Sequence, residues 1–479
     1  MENFTLIALA AAIAHGELTA ETVADEMLQR CASGRRLNTL IAQDADFVLA
    51  AAREADQKRA SGAALGPLHG VPVLIKDNID VLGYATTAGT PGLAGIHPPA
   101  NAPVVQRLLD AGAIVAGKSN LHELAVGGTS QNDHFGYVLN PWRADVVAGG
   151  SSGGSAVAVA ARLVPAALGT DTNGSVRGPC AMNGIAGLRP SFGRYPYGGT
   201  FPGTPTRDSV GGMTPDIADL ALLDAVIAGE PVDEPRAVSL RGLRLGRPGG
   251  EYHRVLDRRT ERVMEEAVRM LRDAGAEIVA VDLPGMHALA TRVAWPLSAY
   301  EVVALTPKLL AGRKPAITIE EIVAAIASSA VRERFNPPAS DLPKLERAWR
   351  EALDVHRPRL QAMLAAYFAD NRLDALIFPT TPFPALAVPH DVADVMINGE
   401  PVKLGFGYLI HNTVYQSASG IPSLTVPAGL TTDGLPVGIS FDGPLGSDRR
   451  LLAIGAAFER VRGPFPAPPA VPGRSFAAF

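Results

Sequence analysis

Short apolar runs and stretches with helical apolar spacing alternate along most of this chain. Residues 71–75 form an apolar run that contains Pro72 and ends abruptly at Lys76-Asp-Asn78. Residues 102–111 then repeat apolar positions at helical spacing, and 113–116 read as a second buried strand. The same strand–helix–strand order returns at 243–247, 259–274 and 277–281, with short polar turns between. From about residue 285 helical segments break the rhythm, among them 319–328 and 345–364, the second expected to kink or break at Pro358. Strand patterns resume at 373–378 and between 423 and 440, and 448–460 reads as a closing helix. The pattern predicts an α/β fold: one domain spanning 1–479, a large mixed, mostly parallel sheet with helices on both faces, and a helical layer at about 285–350 near the mouth of the site.

Composition narrows the class. Of 479 residues 47% are hydrophobic and 19% charged, as in an ordinary globular chain, and no low-complexity linker divides them. A net charge of −5 argues against a broad nucleic-acid footprint and suits small uncharged substrates. Two cysteines, Cys31 and Cys180, are too few for a disulfide framework, which points to the cytoplasm. Residues 4–14 resemble a secretory segment in hydrophobicity, but Glu2 stands where a positive charge is expected, so an amphipathic helix is the reading. No window reaches the roughly 18 uninterrupted apolar residues of a membrane span. No His/Cys/Asp/Glu spacing indicates a metal, and no cofactor is implied.

Three polar motifs remain. Lys76 follows a strand expected to be buried on both faces, at the kind of strand end where open α/β sheets bind ligands. Burial there would lower its pKa from about 10.4 toward roughly 7 to 8 and make it a general base. Gly149-Gly-Ser-Ser-Gly-Gly-Ser155 is a glycine turn opening an alanine-rich helix. It lacks the lysine of a phosphate loop, yet it matches Gly-x-Ser-x-Gly, so an α/β-hydrolase elbow competes, with His253, His287, His356, His390 or His411 as base. That alternative leaves Lys76 and the third motif unexplained. The third, Gly169-Thr-Asp-Thr-Asn-Gly-Ser-Val-Arg177, gathers small turn formers at a strand end, where successive N–H groups can form an anion nest and hence an oxyanion hole.

Together these motifs resemble the amidase signature family, which cleaves amides with a serine nucleophile, a second serine and a neutral lysine. The resemblance implies that Ser175 is the acylated nucleophile, Ser151 the bridging serine, preceded by a cis peptide, and Lys76 the base. It also implies an oxyanion loop of Thr172, Asn173, Gly174 and Ser175, a supporting network of Ser152, Thr170, Asp171 and Arg177, and substrate beside Ala125, Gly127 and Gly128. Ser419-Gly-Ile-Pro-Ser-Leu-Thr-Val-Pro-Ala428 and Gly434-Leu-Pro-Val-Gly438 extend the likeness toward the C-terminus. Asn173 stands where glycine is usual, and asparagine visits left-handed backbone readily, so it is expected to preserve the loop. Thr206-Arg-Asp-Ser-Val-Gly211 and Gly193-Arg-Tyr-Pro196 are more similar to indoleacetamide and mandelamide hydrolases than to the glutaminase subunit of tRNA-dependent amidotransferases. The expected enzyme is a cytoplasmic amidohydrolase of small-molecule amides, without nucleic-acid or membrane partners, as a monomer or homodimer. An esterase or urethanase on the same scaffold, and the amidotransferase subunit, are the alternatives, and a non-catalytic binding module is a more distant third. Specificity is expected from 285–350 and around 127–132.

Overall fold

A computed structural model describes residues 4–232, 238–253, 255–335, 341–388, 395–402 and 406–469. Thirteen strands are present among them: β1 (Leu40–Ala42), β2 (Pro72–Lys76), β3 (Ile114–Ser119), β4 (Ala166–Asp171), β5 (Ala186–Arg189), β6 (Ser209–Thr214), β7 (Arg244–Arg247), β8 (Glu277–Ala280), β9 (Ala375–Pro379), β10 (Val395–Ile397), β11 (Glu400–Val402), β12 (Ser423–Leu430) and β13 (Pro436–Asp442). Eleven form one sheet in the order β1-β3-β2-β4-β6-β5-β12-β13-β9-β7-β8, and β10 with β11 makes a separate hairpin. The sheet is mixed. β2 runs parallel to β3 and β4, and β7 parallel to β8 and β9, while the strands between β4 and β9 pair antiparallel.

Every residue of β2, β3 and β4 is buried, so helices and loops cover both faces there and the strands read as continuous apolar runs rather than alternations. Against the other half packs the Arg258–Asp273 helix. Asp257 caps it by accepting from Arg259 N–H, and Val263, Met264, Ala267, Val268 and Leu271 form its buried stripe. The N-terminal segment is the helix Leu6–His15, capped by Thr5, with Leu6, Leu9 and Ile13 inward.

Two helices differ from expectation. The 345–364 stretch does not break at Pro358: Leu342–Glu351 passes through a π turn at Ala352–His356 into Arg357–Asp370, and Pro358 lies in the first turn of that last helix. The irregularity therefore lies in the π turn directly before the proline, within a chain that stays helical through it. The 319–328 helix stops at Ala325, because Ile326 is extended and the next two N–H groups, of Ala327 and Ser328, donate to the buried Glu123 carboxylate at 2.9 and 2.8 Å. Among the described residues no helix is long and apolar enough to cross a membrane.

Candidate active site

Lys76 closes β2, and Asp171 closes the adjacent parallel strand β4, so both stand at carboxyl ends of neighbouring strands. Lys76 is fully buried. Its Nζ lies 2.7 Å from Ser151 Oγ and 2.8 Å from Thr170 Oγ1, and Thr170 Oγ1 also accepts from Asn78 Nδ2 at 3.2 Å. Burial pushes the Lys76 ammonium down to about 7, against the opposite pull of Asp171 and Asp208. A large fraction is therefore the free amine near neutral pH.

The glycine turn brings the second motif to that amine. Gly150–Ser151 is a cis peptide. Ser151 O accepts from His122 N–H at 3.1 Å and from Ser130 Oγ at 3.2 Å, and Ser152 N–H donates to Ser175 O at 3.2 Å. The last bond joins the two serine motifs directly. A Cβ at Gly150 would fall 2.8 Å from Ser130 N and 2.9 Å from Thr129 N, so the close approach of the backbones needs glycine. From Gly153 the chain enters the fully buried helix Gly153–Ala160. Ser152 Oγ and the Thr170 backbone lie at 3.3 Å.

In the third motif the carboxylate of Asp171 organises the loop. It accepts from Gly174 N–H at 2.8 Å, from Val176 N–H at 3.3 Å, and from Nε and Nη2 of Arg177, each at 2.9 Å. Burial alone would raise this carboxyl; the guanidiniums of Arg177 and Arg189 and the Gly174 N–H hold it well below the usual carboxylate range. The carbonyls are pinned as well: Asp171 O accepts from Arg189, Thr172 O from Arg207 at 2.9 Å, and Asn173 O from Thr413 Oγ1 at 2.6 Å. With Gly174 N–H committed to Asp171, the N–H groups of Thr172, Asn173 and Ser175 are left without a protein acceptor among the described residues. The left-handed residue is Gly174, with φ 107°, and Asn173 is not in that region. A Cβ at Gly174 would meet Thr413 Oγ1 at 2.2 Å. Asn173 instead uses its side chain, whose Oδ1 accepts from Arg207.

A cavity of about 560 Å³ opens beside the loop, lined by Thr172, Asn173 and Ser175 on one side. Leu124, Ala125 and Val126, then Pro202 to Thr204 and Asp208, form further walls. The 285–350 region adds Trp295, Ser298, Ala299 and Val302, with Arg334 and Phe335, and Gly407 completes the lining. Leu124 and Ala125 both have left-handed backbone. Gly127 backs onto the His122 ring and Gly128 onto Leu409, while the Asn132 amide donates to Gly89 O and Leu121 O at 2.8 and 3.0 Å. Of the 125–132 stretch, then, Ala125 and Val126 form the wall.

The competing elbow needs a histidine on a serine hydroxyl, and the side-chain partner of Ser151 Oγ is Lys76. His287 stacks on His411 with ring centres 4.2 Å apart, and His356 faces Glu351 at 3.3 Å. The His253 side chain and His390 lie outside the described residues. No group of three or more His, Cys, Asp or Glu among the described residues could hold a metal ion.

Several site residues have no motif of their own. Arg189, Arg207, Asp208, Thr413 and His122 come from four separate segments. Of these only Arg207 and Asp208 lie in a stretch with a recognisable sequence pattern, Thr206 to Gly211.

The sequence profile of the amidase family matches residues 22–452. Mandelamide hydrolase of Pseudomonas putida is 37% identical, covering 97% of this chain and 93% of that protein. An indoleacetamide hydrolase of Agrobacterium vitis is also 37% identical, covering 91% and 92%. The solved peptide amidase of Stenotrophomonas maltophilia superposes with a TM-score of 0.81 at 31% identity, covering 98% and 99%.

Proposed function

We infer the reaction from the premise that this chain belongs to the amidase family: it is an amidohydrolase that breaks the C–N bond of a carboxylic amide through an acyl-enzyme on Ser175. Ser175 Oγ attacks the carbonyl carbon, its proton passes to Ser151 Oγ, and the Ser151 proton passes to neutral Lys76 Nζ. Negative charge collects on the substrate oxygen, for which the N–H groups of Thr172, Asn173 and Ser175 are the donors. The proton then returns through Ser151 to the leaving nitrogen, the C–N bond breaks, and water attacks the ester by the same relay. Asp171, Arg177, Thr170 and Ser152 support this arrangement without touching substrate. The observation that carries the reading is the buried amine of Lys76 within 2.7 Å of Ser151 Oγ, a contact useful to catalysis only if the amine can be neutral.

For the substrate we propose a primary amide of an arylacetic acid, releasing ammonia. Mandelamide and indoleacetamide, the compounds in the names of two relatives, are both of this kind. Trp295, Phe335, Leu124, Val126 and Val302 offer an aryl group an apolar wall. The helical 285–350 region supplies three of these five residues and so bears on specificity. A cytoplasmic setting accords with Cys31 and Cys180 both being free and buried.

Purified chain with no added partner, assayed on aryl amides, aliphatic amides, esters and carbamates, tests the proposal. Turnover fastest on phenylacetamide is expected. Preference for esters or carbamates would move the assignment to the esterase or urethanase alternative, and turnover only with partner chains and tRNA would move it to an amidotransferase subunit.

A further inference from the structure

Arg207 is among the largest fully buried side chains of the molecule, and it touches both the loop beside Ser175 and the helix that walls the cavity. Its Nη2 donates to Thr172 O at 2.9 Å, to Asn173 Oδ1, and to Ser417 Oγ at 2.9 Å. Its Nη1 donates to Ala294 O at 2.5 Å and to Ser298 Oγ at 2.9 Å, both on the helix Met286–Ala304. The backbone of Arg207 is held in turn, its carbonyl accepting from Arg189 Nη2 at 2.6 Å. Arg189 also donates to Asp171 O. Two arginines thus hold two successive carbonyls of the loop from behind.

A trans peptide directs the N–H of one residue opposite to the C=O of the residue before it. Fixing the Asp171 and Thr172 carbonyls toward Arg189 and Arg207 therefore turns the N–H groups of Thr172 and Asn173 the other way. We propose that Arg207 is a positioning residue for the oxyanion donors, and that it links their orientation to the cavity wall formed by Trp295, Ser298 and Ala299. The proposal rests on the amidohydrolase reading above. It also gives Asn173 a role that glycine could not fill, since glycine has no Oδ1 to offer the guanidinium. Burial pushes the Arg207 guanidinium down to about 9, opposed chiefly by the neighbouring Asp208, so it remains charged at neutral pH.

The test compares wild type, Arg207→Lys and Asn173→Ala with three ligands: phenylacetamide as substrate, benzylboronic acid as a tetrahedral mimic, and phenylacetate as a planar ground-state ligand. Lysine keeps the charge but cannot span five acceptors on three elements, the loop and the helices Met286–Ala304 and Val414–Ser419. Loss of one oxyanion donor costs about 10²- to 10³-fold in rate. Arg207→Lys is expected to lower kcat by about 10²-fold and to weaken the boronate by a similar factor, with KM and phenylacetate affinity changed less than about threefold. Asn173→Ala, which removes one contact and leaves the guanidinium in place, should shift the same two quantities by about tenfold. Equal losses for boronate and phenylacetate, or lowered thermal stability with kcat intact, would overturn the proposal. If Arg207→Lys does not fold, an unchanged kcat in Asn173→Ala overturns it alone. Absence of amide turnover in wild type would instead remove the amidohydrolase reading itself.

Discussion

A lysine serves as a base only while neutral, and at Lys76 burial supplies that condition: its pKa falls to about 7 because the ammonium would be desolvated. The expected consequence is a kcat/KM that rises with pH around an apparent pKa near 7. Lys76→Ala should abolish that limb with most of the activity, and Lys76→Arg should be as poor, because a guanidinium stays protonated. Steady-state kinetics from about pH 5 to 9 decide it, and a flat wild-type profile would count against lysine as base. The three motifs made Lys76, Ser151 and Ser175 legible as sequence because each lies in a local pattern of glycines or at a strand end. Asn173 was legible only as an oddity. Its partner Arg207 is far along the chain, and no local pattern could show that the side chain, and not the backbone conformation, fills the place of the usual glycine.

At the scale of elements, the strands and long helices followed from apolar periodicity, while helix ends followed from contacts distant in sequence. The helix beginning at Ile319 stops at Ala325, and Glu123 takes up the N–H groups of Ala327 and Ser328 ahead of the helix Ser329–Phe335. Nothing in 319–328 itself announces that stop. Because Arg334 and Phe335 at the end of that second helix line the cavity, Glu123 holds the start of an element that forms part of the cavity wall. Glu123→Gln keeps one acceptor and loses the charge, so the wall loosens while the serines stay in place. The expected outcome is a KM for phenylacetamide raised by about tenfold with kcat within about threefold. A fall in kcat at unchanged KM would show that Glu123 acts on the chemistry instead. Pro358 makes the complementary point, since the irregularity near it is a π turn at Ala352–His356 inside a continuous helical stretch, which apolar spacing does not show.

For the whole molecule, a buried amine that must become neutral opposes folding. In the folded state the pKa of Lys76 is about 7 and in the unfolded chain about 10.4, so between those values the unfolded state binds the extra proton. Stability from this group therefore rises with pH through that window, and its cost is largest below pH 7. Lys76→Met should be more stable than wild type by on the order of 2 to 4 kcal/mol at pH 6, with the gap narrowing by pH 9. Denaturant unfolding at the two pH values measures it, and a gap that widens with pH would contradict the assignment. The family could be recognised because its motifs are local, whereas the joining of Ser151 and Ser175 depends on the Ser152–Ser175 backbone contact between separate segments. Incubation with an arylmethyl fluorophosphonate followed by mass mapping should find a single adduct on Ser175, absent from Lys76→Ala on the same timescale; an adduct on Ser151, or labelling that survives loss of Lys76 but requires a histidine, would contradict the mechanism.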